Sequence, residues 1–216
     1  MAILNYMEVG LLSESSLILR NLPESPISAA AKLKACLLVL DDVVPCYETV
    51  GLYLSGKPPE ESQIREALSS TAPVEASKNH VIPVCYALGD DLVKAAERLQ
   101  IDVHALVEHH FTQTYRCAAV GFVPGFAYLG ELKSEISSLK RLETPRVRVE
   151  PASVAIAGKQ TAVYPSVSPG GWWIIGKTPL QLVDEKSGYF PISAGDTVQF
   201  TPIDEETFYA RKGERL

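Results

Sequence analysis

Beyond Tyr115 glycine and proline cut the chain at short intervals, and this punctuation limits the possible folds more than any other feature. The β-prone runs between the cuts are Val154–Tyr164, Trp172–Gly176, Leu180–Asp184 and Thr197–Thr201. They lack the long helical crossovers that neighbouring parallel strands require, so they predict a barrel or sandwich. Just upstream the period changes. Leu92, Ala95, Ala96 and Leu99 keep helical spacing, and Asp102 is placed to cap a second helix carrying Val103, Leu106, Val107 and His110. A strand over His80–Tyr86 precedes both.

The first 79 residues have a different texture. Tyr6–Leu22 reads as two strands around the turn Ser13-Glu14-Ser15, and Ala29, Leu33, Cys36, Leu37 and Leu40 place a helix over Ser28–Leu40. Val43–Leu54 reads as a further strand or strand pair, and Ile64, Ala67 and Leu68 give Glu60–Ser69 one apolar helical face. The polar stretch Ser69–Asn79 is the expected linker. The fold class expected is therefore α+β, with a small α+β domain over 1–79 and a mainly β domain over 80–216.

With 46% hydrophobic and 21% charged residues, 216 residues can bury an ordinary core. The net charge of −6 and the scattered basic residues exclude a phosphate-tracking stripe, so no nucleic-acid partner is expected. Apolar runs such as Ala35–Leu40 fall far short of the roughly 20 residues that cross a bilayer. The first residues lack the order of a signal peptide, which predicts a cytoplasmic protein with no membrane partner. Cys36, Cys46, Cys85 and Cys117 form no C-x-x-C pair and are expected to be reduced, mostly buried thiols.

Four motifs invite chemistry. Gly121–Leu129 packs three aromatics, Pro124 and two glycines into nine residues, a stiff loop that either plugs a barrel end or walls a pocket. Arg146 and Arg148 lie two residues apart, which in extended chain turns both guanidinium groups to one face, as anion binding or solvated charge would need. Gly171–Thr178 spells the phosphate-loop string G-x-x-x-x-G-K-[ST]. Its centre, Trp-Trp-Ile-Ile, is strand-forming, and Pro179 follows where a helix should start, so a turn and strand are predicted, with Trp172 or Trp173 facing a core. His104, Glu108, His109 and His110 lack metal-site spacing; no metal is expected, and His110 falls on the apolar stripe of its helix. Cys117, Ser153 and Ser168 lack the surroundings of a nucleophile.

From Glu108 to about Ile203 the order of motifs resembles the family of the B subunit of ATP-dependent 5-oxoprolinase, also described as allophanate hydrolase subunit 1 or Kip-type kinase inhibitor. The pieces are His110, Thr114-Tyr115-Arg116, Gly121–Leu129, Thr144-Pro145-Arg146, Ser153–Thr161, Tyr164-Pro165, Ser168–Trp172, Ile175–Pro179 and Gly195–Phe200. The chain departs from the family pattern at Glu131 and Lys133, which stand for Gly and Asp, and at Glu150-Pro151-Ala152, which stands for Pro-Ala-Gly. Lys177 replaces the commoner Arg.

The resemblance implies a cyclophilin-like β-barrel after the small amino-terminal domain. It also implies partners, subunits A and C, with which the family opens the lactam of 5-oxoproline to glutamate using ATP as the complex's cosubstrate; Kip-type members instead bind a sensor histidine kinase. A site for that lactam needs a carboxylate grip, expected from Arg146 and Arg148, and neutral polar groups, expected from Tyr128, Gln160, Thr161 and Tyr164. It also needs a proton carrier, expected at His110 with Tyr128 as the other catalytic candidate, and a dry wall of Phe122, Pro124 and Phe126. His110, Tyr128, Arg146 and Gln160 are expected on one concave surface.

Overall fold

The structure, a computed structural model, describes residues 7–71, 73 and 76–216. It separates into two compact units, 1–76 and 77–216. Part of the expected linker, residues 72, 74 and 75, and the expected strand start at Tyr6 lie outside the described residues.

In the first unit β1 (Glu8–Ser13) and β2 (Ser16–Arg20) form the expected hairpin, followed by α1 (Pro26–Cys36), β3 (Leu40–Cys46), β4 (Thr49–Leu54) and α2 (Glu61–Ser69). The antiparallel order is β1-β2-β4-β3. Leu19, Val50 and Leu52 from the sheet meet Leu33 and Ile64 from the helices in the core. The predicted helix Ser28–Leu40 is displaced at both ends. Ser25 caps it by accepting from the Ser28 amide, and Pro26 suits the first turn, so it starts earlier. Leu37 is extended and Leu40 opens β3, so it also stops earlier.

The second unit runs β5 (Asn79–Val84), α3 (Leu92–Leu99), α4 (Val103–Phe111), β6 (Thr114–Val120), β7 (Ala127–Gly130) and β8 (Arg146–Val149). It continues with β9 (Ser153–Ala157), β10 (Gln160–Val163), β11 (Ser168–Gly170), β12 (Trp173–Lys177), β13 (Thr197–Pro202) and α5 (Glu205–Ala210). Seven strands order as β12-β9-β10-β7-β6-β13-β5, antiparallel except for β13 beside β5. Cys85, just past β5, exchanges both main-chain hydrogen bonds with Lys177 (2.8 and 3.1 Å), which brings the two edges together as a nearly closed barrel. The expected α+β class with a barrel is thus what the chain adopts. Leu180–Asp184 is a correction. Leu180 and Leu182 are buried in the barrel core, but the segment makes only isolated bridges, so its alternation records burial without strand pairing.

Side chains alternate across β9 and β10, and this divides two cores. Val154, Ile156 and Val163 point into the barrel. Ala155, Ala157, Ala162 and Tyr164 point the other way, onto a second cluster with Phe126, Trp172 and Ile174. Among the described residues, no helix is long and apolar enough to cross a membrane.

Ala152, where the family pattern has glycine, sits in the left-handed region at φ 66°. It is held there by its amide on the Tyr164 carbonyl (2.7 Å) and its carbonyl under the Thr178 amide (2.9 Å). Left-handed backbone costs a residue with a Cβ about 1–2 kcal/mol, and the greater freedom of unfolded glycine offsets about half of that. Ala152→Gly is therefore expected to stabilise the protein by roughly 0.5–1 kcal/mol in urea unfolding; a loss of stability would contradict the account.

Candidate functional site

The loop between β6 and β7 is closed by two main-chain bonds, Gly121 amide to Phe126 carbonyl (3.0 Å) and Phe126 amide to Val123 carbonyl (3.1 Å). Gly125 takes φ 74°, and a Cβ there would lie 2.3 Å from a Val183 methyl, so the sequence needs glycine at this turn. Phe122 also takes a positive φ, 75°, which is costly for an aromatic residue, and its ring remains 58% exposed. The buried Phe126 ring is the hub of this loop. It meets Phe122, Tyr128, Tyr164 and Trp172 edge-on at centroid distances of 4.9 to 5.6 Å.

These rings form the floor of a cavity of about 270 Å³, bounded by Arg141, Leu142 and Pro145 on one side and Pro169–Gly171 on the other. The Leu142 amide bonds the Gly171 carbonyl (2.7 Å) and the Trp173 indole N–H bonds the Lys140 carbonyl (2.8 Å). Those two bonds set the Arg141 guanidinium over the Trp172 ring, 6.0 Å from its centroid. Burial pushes the Tyr164 phenol above its ordinary pKa. A wider groove of about 740 Å³ runs past Pro165, Lys177, Leu182 and Tyr209 on the far side of Tyr164.

Of the expected site residues, Phe122, Phe126, Tyr128 and Tyr164 line the aromatic basin. Pro124 belongs to the same loop without lining the cavity. Gln160 is half-buried on β10, on the same side as Tyr164 by alternation.

His110 corrects the expectation of one concave surface, and Thr161 that of a polar group facing the substrate, because both are buried inside the barrel at 0% exposure, across the sheet from Tyr128. Tyr86 donates its hydroxyl to Nδ1 of His110 (2.6 Å), and the Thr161 hydroxyl donates its one proton to the Ala155 carbonyl (3.0 Å). Thr161 must then accept from Nε2–H (2.8 Å), which fixes one neutral tautomer. Burial lowers the imidazole pKa to about 3. His110 is a structural member of the core, not a proton carrier facing a substrate.

The two arginines have partners of their own. Arg146 Nη2 lies 2.5 Å from Asp91 Oδ1 and Nη1 donates to the Trp172 carbonyl (3.3 Å), while exposed Arg148 pairs with Glu150 (2.6 Å). Asp91, 6% exposed, also accepts from the Ile174 amide (2.7 Å). Sequence reasoning missed both Asp91 and Arg141, since contacts distant in sequence place each one.

The phosphate-loop string is turn and strand, as expected, with Trp172 buried. Three of its amides are already engaged, Ile174 on Asp91, Lys177 on Cys85 and Thr178 on Ala152, so they do not cradle a phosphate. Cys85 and Cys117 are buried thiols, the latter pushed up to about 12 by burial, whereas Cys36 is exposed, which corrects the expectation for that residue. Among the described residues no three His, Cys, Asp or Glu side chains gather as a metal set.

Compared with known proteins, residues 13–190 match the family described as carboxyltransferase domain, subdomain C and D. The chain is 40% identical over 136 residues to the 5-oxoprolinase B subunit of Bacillus subtilis (strain 168), covering 62% of this chain and 56% of that protein. It is 41% identical over 127 residues to the protein of the same name in Escherichia coli O157:H7, covering 57% and 58%. It thus spans a little over half the length of the curated relatives it matches. Among solved structures, TTHA0988 superposes with a TM-score of 0.75 at 32% identity, over 88% of this chain and 40% of that one. PH0987 from Pyrococcus horikoshii, described as a conserved uncharacterized protein, gives 0.57 at 32% identity over 93% and 100%. The Kluyveromyces lactis urea carboxylase, at 13% identity and TM-score 0.67 over 94% of this chain and 22% of its own, shares the fold alone.

Proposed function

Since the chain belongs to the carboxyltransferase domain family, subdomain C and D, we propose that it is the B component of an ATP-dependent 5-oxoprolinase, contributing substrate-binding surface to a complex with subunits A and C. The observation that carries this reading is the aromatic basin, built from motif residues Phe122, Phe126, Tyr128, Tyr164 and Trp172 in a chain about 40% identical to proteins named as the B subunit of 5-oxoprolinase. A lactam is a stable amide, so ATP would serve to phosphorylate its oxygen and open the ring carbon to water. This chain's own groups suit binding better than that chemistry. Three of the phosphate-loop amides are engaged within the barrel, His110 is buried and neutral, and the Cys117 thiol is held protonated.

The purified chain alone is therefore expected to show neither ATP hydrolysis nor 5-oxoproline opening, and the three subunits together to release glutamate only with ATP. Glutamate release by the isolated chain, or none from a correctly assembled three-subunit complex, would overturn the reading.

A further inference from the structure

We propose that Arg141, held over Trp172, is the carboxylate anchor of the aromatic basin, which takes small ring-shaped monocarboxylates with the ring set among Tyr128, Phe126 and Trp172. The choice of 5-oxoproline as the probe rests on the 5-oxoprolinase reading; the anchor itself rests on geometry. Three arginines lie in this stretch of the chain, and Arg141 lines the cavity. Arg146 is engaged by Asp91 and the Trp172 carbonyl, and Arg148 by both carboxylate oxygens of Glu150. For Arg141 no ion pair or hydrogen bond is found among the described residues, although it borders the cavity directly. Placed over an indole at 6.0 Å, a guanidinium keeps its donors free for a planar anion, and the fork matches a carboxylate.

The rest of the basin agrees in size and chemistry. Its roughly 270 Å³ falls just below the volumes that hold drug-sized ligands, and its floor is aromatic. Phe122 stands at the rim in a strained backbone conformation with its ring exposed, as residues at ligand clamps often do. The main-chain bond from Leu142 to Gly171 and the bond from the Trp173 indole N–H to the Lys140 carbonyl hold the Arg141 segment against the floor, so the charge is positioned before any ligand arrives.

The test is an NMR titration of the full chain, following the Trp172 indole N–H, with 5-oxoproline and with 2-pyrrolidinone, the same lactam without its carboxylate. The wild type is expected to bind 5-oxoproline at least tenfold more tightly. Arg141→Ala should lose tenfold to a hundredfold and no longer distinguish the two ligands, and Arg141→Lys should retain part of the preference. Because Arg141 is exposed, its melting temperature should stay that of the wild type. Equal response to both ligands, no saturable response of the wild type, or unchanged affinity in Arg141→Ala would each overturn the proposal. Carboxylate-dependent binding without turnover in the assembled complex would sink the 5-oxoprolinase reading alone. Turnover with a KM unmoved by Arg141→Ala would sink the anchor alone.

Discussion

Arg146→Ala is expected to lower the stability of the barrel unit by roughly 2–3 kcal/mol, an effect on folding and not first on substrate affinity. Removing one member of a fully buried ion pair costs about 3–5 kcal/mol, because the other charge is left without a partner. The Arg146 side chain is 30% exposed while the Asp91 side chain alone is 8%, so water would compensate part of the loss and a figure below that range applies. More depends on the pair than the pair itself. Asp91 accepts from the Ile174 amide, its own amide bonds the Ile174 carbonyl (2.8 Å), and the turn before α3 lies so close to β12 that a Cβ on Gly89 would fall 2.3 Å from the Ile175 carbonyl. Arg146 closes this clamp from the far side and also holds the Trp172 carbonyl. For a unit of this size the loss corresponds to a melting point lower by about 6–12 °C. Asp91→Asn in the same background should recover part of it, since no unpaired charge would remain. An unchanged melting point, or a double variant as unstable as the sum of the singles, would show that the clamp does not carry the stability assigned to it.

The sequence was informative where a local period or cap decides the structure. The Asp102 cap, which accepts from the Ala105 amide (2.9 Å), the hairpin of β1 and β2, and the strand within the phosphate-loop string all follow from neighbouring residues. Even the departure of His110 from the four-residue surface was implicit in the chain. Gln160 and Thr161 are adjacent, so on a strand they point to opposite faces, and a polar Thr161 could have been read as a core partner for His110. Strands β7, β8 and β11, of three or four residues each, leave too short a period to detect, and only their pairing with other strands defines them. Arg146 was expected to grip a substrate carboxylate, and nothing in the spacing shows that Asp91, 55 residues upstream, occupies it. Arg141 was invisible for the same reason. Its position depends on the bond from the Leu142 amide to Gly171 and on that from the Trp173 indole to the Lys140 carbonyl.

The buried histidine should make the protein sensitive to mild acid. Folded, His110 is neutral with a pKa of about 3; unfolded, it returns to about 6.5. Between those values the unfolded chain binds a proton that the folded chain refuses, so stability rises with pH and is lost as pH falls below about 6.5. The limiting slope is about 1.4 kcal/mol per pH unit, and from pH 7 to pH 5 the loss attributable to His110 is about 2 kcal/mol. Among the described residues no carboxylate contacts the ring to offset this. The aromatic groups around it are the phenols of Tyr86 and Tyr115 and the ring of Phe200, and both phenols are held protonated by burial. Asp196 behaves differently. Burial works against its charge, but the amides of Lys78 and Ser193 and the His80 side chain together hold its pKa below the ordinary value, so its contribution is lost only at lower pH than this window. Urea unfolding of the wild type and of His110→Gln at several pH values from 7 to 5 isolates the effect, because every other titrating group is common to both. Glutamine can still offer one acceptor to Tyr86 and one donor to Thr161, so the variant should fold, start somewhat less stable at pH 7, and show a slope shallower by about 1 kcal/mol per unit. Parallel slopes would mean that His110 can be protonated within the folded barrel, and the neutral chain from Tyr86 through His110 and Thr161 to Ala155 would have to be redrawn.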